Sequence, residues 1–176
     1  MKNILINSLL AGAALIVVFL VFHFINPSLN FDFVLGTLIS LVIYLFFLIR
    51  AGFQKRKSLG GFLGLGEVFV SSIAIYTIAS FIATIFSLIM IKLNPELVEL
   101  IKESSNSMNE RMLGMSGMSE EQIALALEEA NEKTDPNQFT SLSTVFIGWL
   151  VTIIFPGLLY AVIAAFITKK KDKNVA

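Results

Sequence analysis

The chain has 176 residues, 56% of them hydrophobic and 15% charged, with one histidine, no cysteine and a formal net charge of zero. A soluble domain carries about 25% charged residues, and here the charges cluster in a few segments, which is a membrane composition for one compact bundle spanning 1–176. The missing cysteines exclude disulfides, thiolate nucleophiles and iron–sulfur or zinc-thiolate sites, and a lone histidine leaves no histidine cluster for a metal. Neither the composition nor the net charge points to a cofactor or a nucleic-acid partner.

The first apolar run, Ile4–Ile25, has 22 residues, longer than the apolar core of a cleaved signal peptide, and His23-Phe24-Ile25 lacks the small residues of a cleavage site. As a helix it would reach roughly 33 Å, enough for the ~30 Å hydrocarbon core, so it reads as a retained span. Asn26-Pro27 ends it, because proline cannot continue a helix. The second run, Phe33–Ile49, has 17 residues between Asp32 and Arg50 and relies on Arg50 snorkelling to the headgroups. A basic stretch follows, with Arg50, Lys55, Arg56 and Lys57, and turns on Gly60-Gly61. The third run is Val68–Ile91, between Glu67 and Lys92, and the fourth is Leu142–Ile167, before Lys169, Lys170 and Lys171. Backbone groups in lipid must be satisfied within the segment, so these runs predict four transmembrane α-helices, about 4–25, 33–49, 68–91 and 142–167.

Basic residues set the expected orientation. The 50–67 connection and the C-terminal tail (Lys169, Lys170, Lys171, Lys173) each carry four, and Asn26–Asp32 carries none. The 92–140 segment has four basic residues against ten acidic ones, a net of −6. Both termini are therefore expected in the cytoplasm, with Arg50, Lys55, Arg56 and Lys57 facing anionic headgroups. The 92–140 segment should form an extracytoplasmic helical hairpin between the third and fourth spans. Asn94-Pro95-Glu96 reads as the start of its first helix, Gly114 and Gly117 as the break, and Ser119-Glu120-Glu121-Gln122 as a capping box opening a second helix that ends near Asp135-Pro136.

Candidate functional positions are few. In the third span, Ser72, Tyr76, Ala79, Ser80, Ala83, Thr84 and Ser87 fall on one side at 100° per residue, with Ile75, Ile78, Phe81, Ile82, Ile85, Leu88 and Ile89 on the other. The small and hydroxyl side should pack centrally; Ser80 and Thr84 could also line a polar path, but helix packing is the simpler reading. Coupled transporters keep an ionisable group inside the membrane. Here His23 and Glu67 lie near the span ends: His23 reads as an interfacial hydrogen-bonding residue, and Glu67 as a partner of a helix N-terminus or of Lys55–Lys57. Pro156-Gly157 predicts a kink that frees a carbonyl near Thr152, and Gly157, Ala161 and Ala165 form a small-residue stripe. Met108, Met112, Met115 and Met118 recur at helical steps; thioethers bind copper(I), yet methionine is also an ordinary filler of apolar surface. Gly60–Gly66 lacks the lysine and Ser/Thr of a phosphate loop, and Glu128, Glu129, Glu132 and Asp135 lack a calcium-loop pattern.

Leu59-Gly60-Gly61-Phe62 after a basic loop, Leu65-Gly66-Glu67-Val68-Phe69, Met118–Ile123 in a long outer segment and Phe155-Pro156-Gly157 before a poly-lysine tail carry a resemblance. The chain resembles, over nearly its whole length, the small four-span bacterial membrane proteins catalogued as domain of unknown function 4199, common in Bacteroidota. That resemblance implies a bacterial inner-membrane protein and supplies neither an activity nor site residues. The expectation is an all-α, four-span membrane protein that is not an enzyme and serves as an accessory or interaction component with a membrane-protein partner or as a homo-oligomer. The alternative is a small oligomeric transporter or channel.

Overall fold

The computed structural model describes residues 2–133 and 141–170; Asp135-Pro136 and the tail residues Lys171 and Lys173 lie outside the described residues. Four helices are long and apolar enough to cross a membrane: α1 Lys2–Ile25, α2 Phe33–Ser58, α3 Leu65–Leu93 and a last one, Leu142–Thr168, interrupted near its middle. The chain is an all-α membrane protein.

Helix α1 turns its small and polar side, Asn7, Ser8, Ala11 and Gly12, into the bundle. A Cβ at Gly12 would stand 3.1 Å from Ile82, so α1 and α3 meet almost backbone to side chain. After α1 the Asn26 side chain accepts from Ser28 N–H at 3.0 Å and opens a short 3₁₀ turn, Pro27–Phe31. Asp32 then accepts from Leu35 N–H at 2.9 Å and caps α2.

Helix α2 does not stop near Ile49: it runs on to Ser58, so the basic stretch is helical rather than a loop. Its last turn carries Lys55, Arg56 and Lys57, the charge sign that a helix C-terminus favours. Gly60 and Gly61 have φ of +74° and +100°, and Gly61 N–H reaches Arg56 carbonyl at 2.9 Å. This is a glycine C-cap in which the left-handed residues close the helix. The chain then pairs Leu63 with Lys170 by two backbone hydrogen bonds of 2.9 and 3.0 Å, tying the α2–α3 turn to the end of the last helix.

Helix α3 is central, packing most extensively on α1 and then on the final helix. It buries Ser72, Tyr76, Ala79 and Ser80, the side expected to face inward. Two residues expected on the outward side, Ile75 and Leu88, are buried as well. The reason is geometric: α3 has neighbours on several sides, so its buried arc is wider than one stripe. Phe81, Ile85 and Ile89 stay exposed, as expected.

Helices α4 Glu96–Met115 and α5 Glu120–Lys133 follow. Asn94 does not cap α4 with its side chain; its amide donates to Met90 carbonyl at 3.1 Å and finishes α3 instead. Gly114 stays within α4, and the break is at Gly117, with φ of +84°. The capping box at α5 forms reciprocally, Gln122 N–H to Ser119 Oγ at 3.4 Å and Ser119 N–H to Gln122 Oε1 at 3.1 Å. Ser104 of α4 donates to Phe31 carbonyl, holding α4 against the α1–α2 connection.

The last helix comprises α6 Leu142–Thr152, a π-turn at Ile153–Gly157 and α7 Leu158–Thr168. Pro156 has no N–H for the Thr152 carbonyl, and the wide turn absorbs that loss, with Leu158 N–H bonding Ile153 carbonyl. The parts on either side differ. Helix α7 buries Tyr160, Ala161, Ala164, Ala165 and Thr168, whereas α6 buries nothing.

Candidate functional site

Because α6 packs lightly on α3 and makes little or no contact with α2, a cleft of about 310 Å³ opens between them. Its lining includes Ser40 and Tyr44 from α2, Tyr76, Ser80, Thr84 and Ser87 from α3, and Thr152 from α6. The remaining walls are aliphatic, from Leu15, Ala83, Leu88, Ile91 and Val145. Among the described residues, no acid, lysine, arginine or histidine lines it.

The inner end of the cleft is made by aromatic packing. All three tyrosines of the chain converge there from three helices. The Tyr44 and Tyr76 ring centroids are 4.4 Å apart, with Tyr160 at 6.0 and 5.9 Å from them. Such pairs contribute about 1 kcal/mol each beyond their burial. The Tyr76 hydroxyl lies beside Thr152 and that of Tyr160 beside Ser40. Leu48 and Ala164, one helical turn past Tyr44 and Tyr160, are fully buried in the same cluster, and among the described residues none that lines the cleft lies beyond the rings. The π-turn supports this floor: a Cβ at Gly157 would lie 2.8 Å from two ring carbons of Tyr76, so the glycine admits the ring. The turn is thereby packed against the Tyr76 ring.

Two of the expected positions line this cleft. Thr84 presents its hydroxyl without a hydrogen-bond partner among the described residues. Ser80 donates to Thr77 carbonyl at 3.1 Å and accepts from the indole N–H of Trp149 at 3.0 Å. Pro156 stands behind the floor, in the π-turn. His23 and Glu67 are elsewhere. His23 stacks on Phe19 at 6.4 Å near the end of α1, its Nδ1 buried without a hydrogen bond. Glu67 is exposed at the start of α3; Lys55 bonds its backbone carbonyl at 3.3 Å, not its carboxylate, and Ser71 Oγ at 2.9 Å. Lys55 is thus engaged by α3, while Arg56 lies over the Phe53 ring at 5.3 Å. Lys169 and Lys170 lie over Phe166 and Phe62, an amphipathic arrangement of stems and rings suited to a membrane interface. The methionines of α4 do not form a shielded site: Met112 and Met115 are 58% and 89% exposed.

Sequence reasoning missed Ser40, Tyr44, Tyr160 and Trp149. The scarcity of tyrosine and tryptophan in a phenylalanine-rich chain was the available signal, since a phenol or indole within a span usually finds a polar partner.

Fold and cleft together define a four-helix membrane protein with a hydroxyl-edged cleft in one half of the bundle. A family model described as "Protein of unknown function (DUF4199)" matches residues 7–170, and the chain belongs to this family. No curated protein and no solved structure was found to match it.

Proposed function

We propose that this is a non-enzymatic, multi-pass protein of a bacterial inner membrane that acts as an accessory or interaction component, receiving a ligand or partner in the open half of its bundle. The observation that supports this reading is the cleft itself, edged by hydroxyls and ending at the packed tyrosines. Its lining offers hydroxyls and aliphatic groups, without the acid, base or charged relay that catalysis or coupled transport would call on. Both termini and the α2–α3 turn belong on the cytoplasmic side, because one end of the bundle gathers Lys55, Arg56, Lys57, Lys169 and Lys170. The acidic α4 and α5 then face outward, and Arg50, Arg56 and Lys57 meet anionic headgroups.

The hydroxyl lining gives the second reading, a small transporter or channel, its specific support. Flux through proteoliposomes separates the two. Vesicles holding the protein should be no leakier to sodium, potassium, chloride or glycerol than empty ones. A flux that the pair Ser80→Leu and Thr84→Leu abolishes would overturn the receiving role in favour of transport.

A further inference from the structure

We propose that the cleft and the groove beside it form one binding site for an uncharged amphiphile, a lipid whose head presents carbonyl or hydroxyl oxygens and whose tail is a long apolar chain. The inference rests on the receiving role and specifies what is received.

The groove, about 380 Å³, lies between α3 and α6 and is walled by Phe81, Ile85, Leu88, Phe146 and Trp149. Cleft and groove share Thr84, Leu88 and Val145, so a largely apolar compartment edged with hydroxyls adjoins one that is almost wholly apolar. Trp149 joins them: its ring lies in the groove and its N–H bonds Ser80 in the cleft. Within the cleft the hydroxyls of Tyr44, Thr84 and Ser87 have no hydrogen-bond partner among the described residues. Those of Ser40 and Thr152 donate to backbone carbonyls at 3.0 and 2.7 Å and are met by the Tyr160 and Tyr76 hydroxyls, which leaves each one further lone pair to accept with. The cleft therefore offers both donors and acceptors, and its volume far exceeds the ~30 Å³ of one water. Hydroxyls at membrane depth without partners are costly, and a head rich in oxygen satisfies them. A charged head would enter a cleft where the described residues supply no counter-charge, which selects against ionic phospholipids. The groove lies between membrane-crossing helices, so its ligand arrives sideways from the bilayer with its tail already in the apolar phase.

Trp149 is the sole tryptophan, so its fluorescence reports the seam directly. The full chain in nanodiscs of unlabelled phosphatidylcholine is titrated with low mole fractions of diacylglycerol or phosphatidylglycerol, each bearing the same brominated tails. The expected result is saturable quenching by the diacylglycerol, with phosphatidylglycerol about fivefold or more weaker; unlabelled isoprenoid quinone is added as competitor, and relief of quenching identifies a quinone-type head as the better fit. The nearly isosteric pair Thr84→Val and Ser87→Ala should weaken the neutral ligand about fivefold or more, in line with hydroxyl bonds within a membrane bundle. Helix content and elution volume of the variant confirm its fold. Equal, unsaturating quenching by both lipids, or selectivity untouched by the pair, overturns the proposal. The receiving role itself is tested separately by the flux assay, so the two failures are distinct.

Discussion

The two halves of the bundle are built from the same kinds of residue and pack in opposite ways. In the half that carries the basic helix end, glycine and alanine bring helices into contact: a Cβ at Gly52 would lie 2.6 Å from Thr168, and Ala161, Ala164 and Ala165 are wholly buried. In the other half α6 keeps Phe146, Ile147 and Leu150 exposed, and a Cβ at its Gly148 would meet nothing within 4 Å. The π-turn at Ile153–Gly157 is the boundary. Small residues alone thus do not close a membrane interface; they do so where a neighbour's side chain occupies the space they leave.

The same substitution should have opposite signs in the two halves. Gly157→Ala forces a methyl against the Tyr76 ring and should destabilise by about 1–3 kcal/mol in thermal unfolding in detergent, the range for overpacking. Gly148→Ala should instead stabilise by about 0.5–1 kcal/mol, because a helix gains from losing a glycine where space is free. Equal effects would erase the contrast. Next in size is Asn7→Leu in the closed half, which removes hydrogen bonds to Asn3 carbonyl (2.7 Å) and Gln54 Oε1 (2.9 Å) and should cost about 1 kcal/mol. Smallest is Ser119→Ala at the α5 cap, at about 0.5–1 kcal/mol, confined to α5 and without effect on Trp149 fluorescence. Orientation can be challenged separately: changing Arg50, Lys55, Arg56 and Lys57 to glutamine should lower the fraction of molecules whose α2–α3 reporter reads cytoplasmic. An unchanged fraction would assign the signal to the lysines after α7.

Much of this fold was legible as pattern. The four apolar runs named the helices, Gly60-Gly61 the turn, and Ser119–Gln122 the cap, because each depends on local chemistry. The pattern ends helix α2 at Arg50, too early: lysine and arginine are good helix formers and continue it to Ser58. The inward face of α3 was half legible. Its hydroxyl side followed from periodicity, but the burial of Ile75 and Leu88 depends on how many neighbours surround α3, which periodicity does not encode. Of the site, Ser80, Thr84 and Ser87 could be placed on one face, whereas Tyr44 and Tyr160 reach it only through the packing of α2 and α7. His23 and Glu67 are ionisable groups near span ends, and neither lines the cleft.

The most direct test of the contrast is amide hydrogen exchange on the protein in nanodiscs, comparing α6 with α7. Both belong to one membrane-crossing run, so the bilayer shields them alike. The account expects α6, Leu142–Thr152, to exchange about tenfold or more faster than α7, Leu158–Thr168, because none of its own residues is buried. Equal protection of the two segments would mean that the open half is closed in the membrane, and the cleft with it.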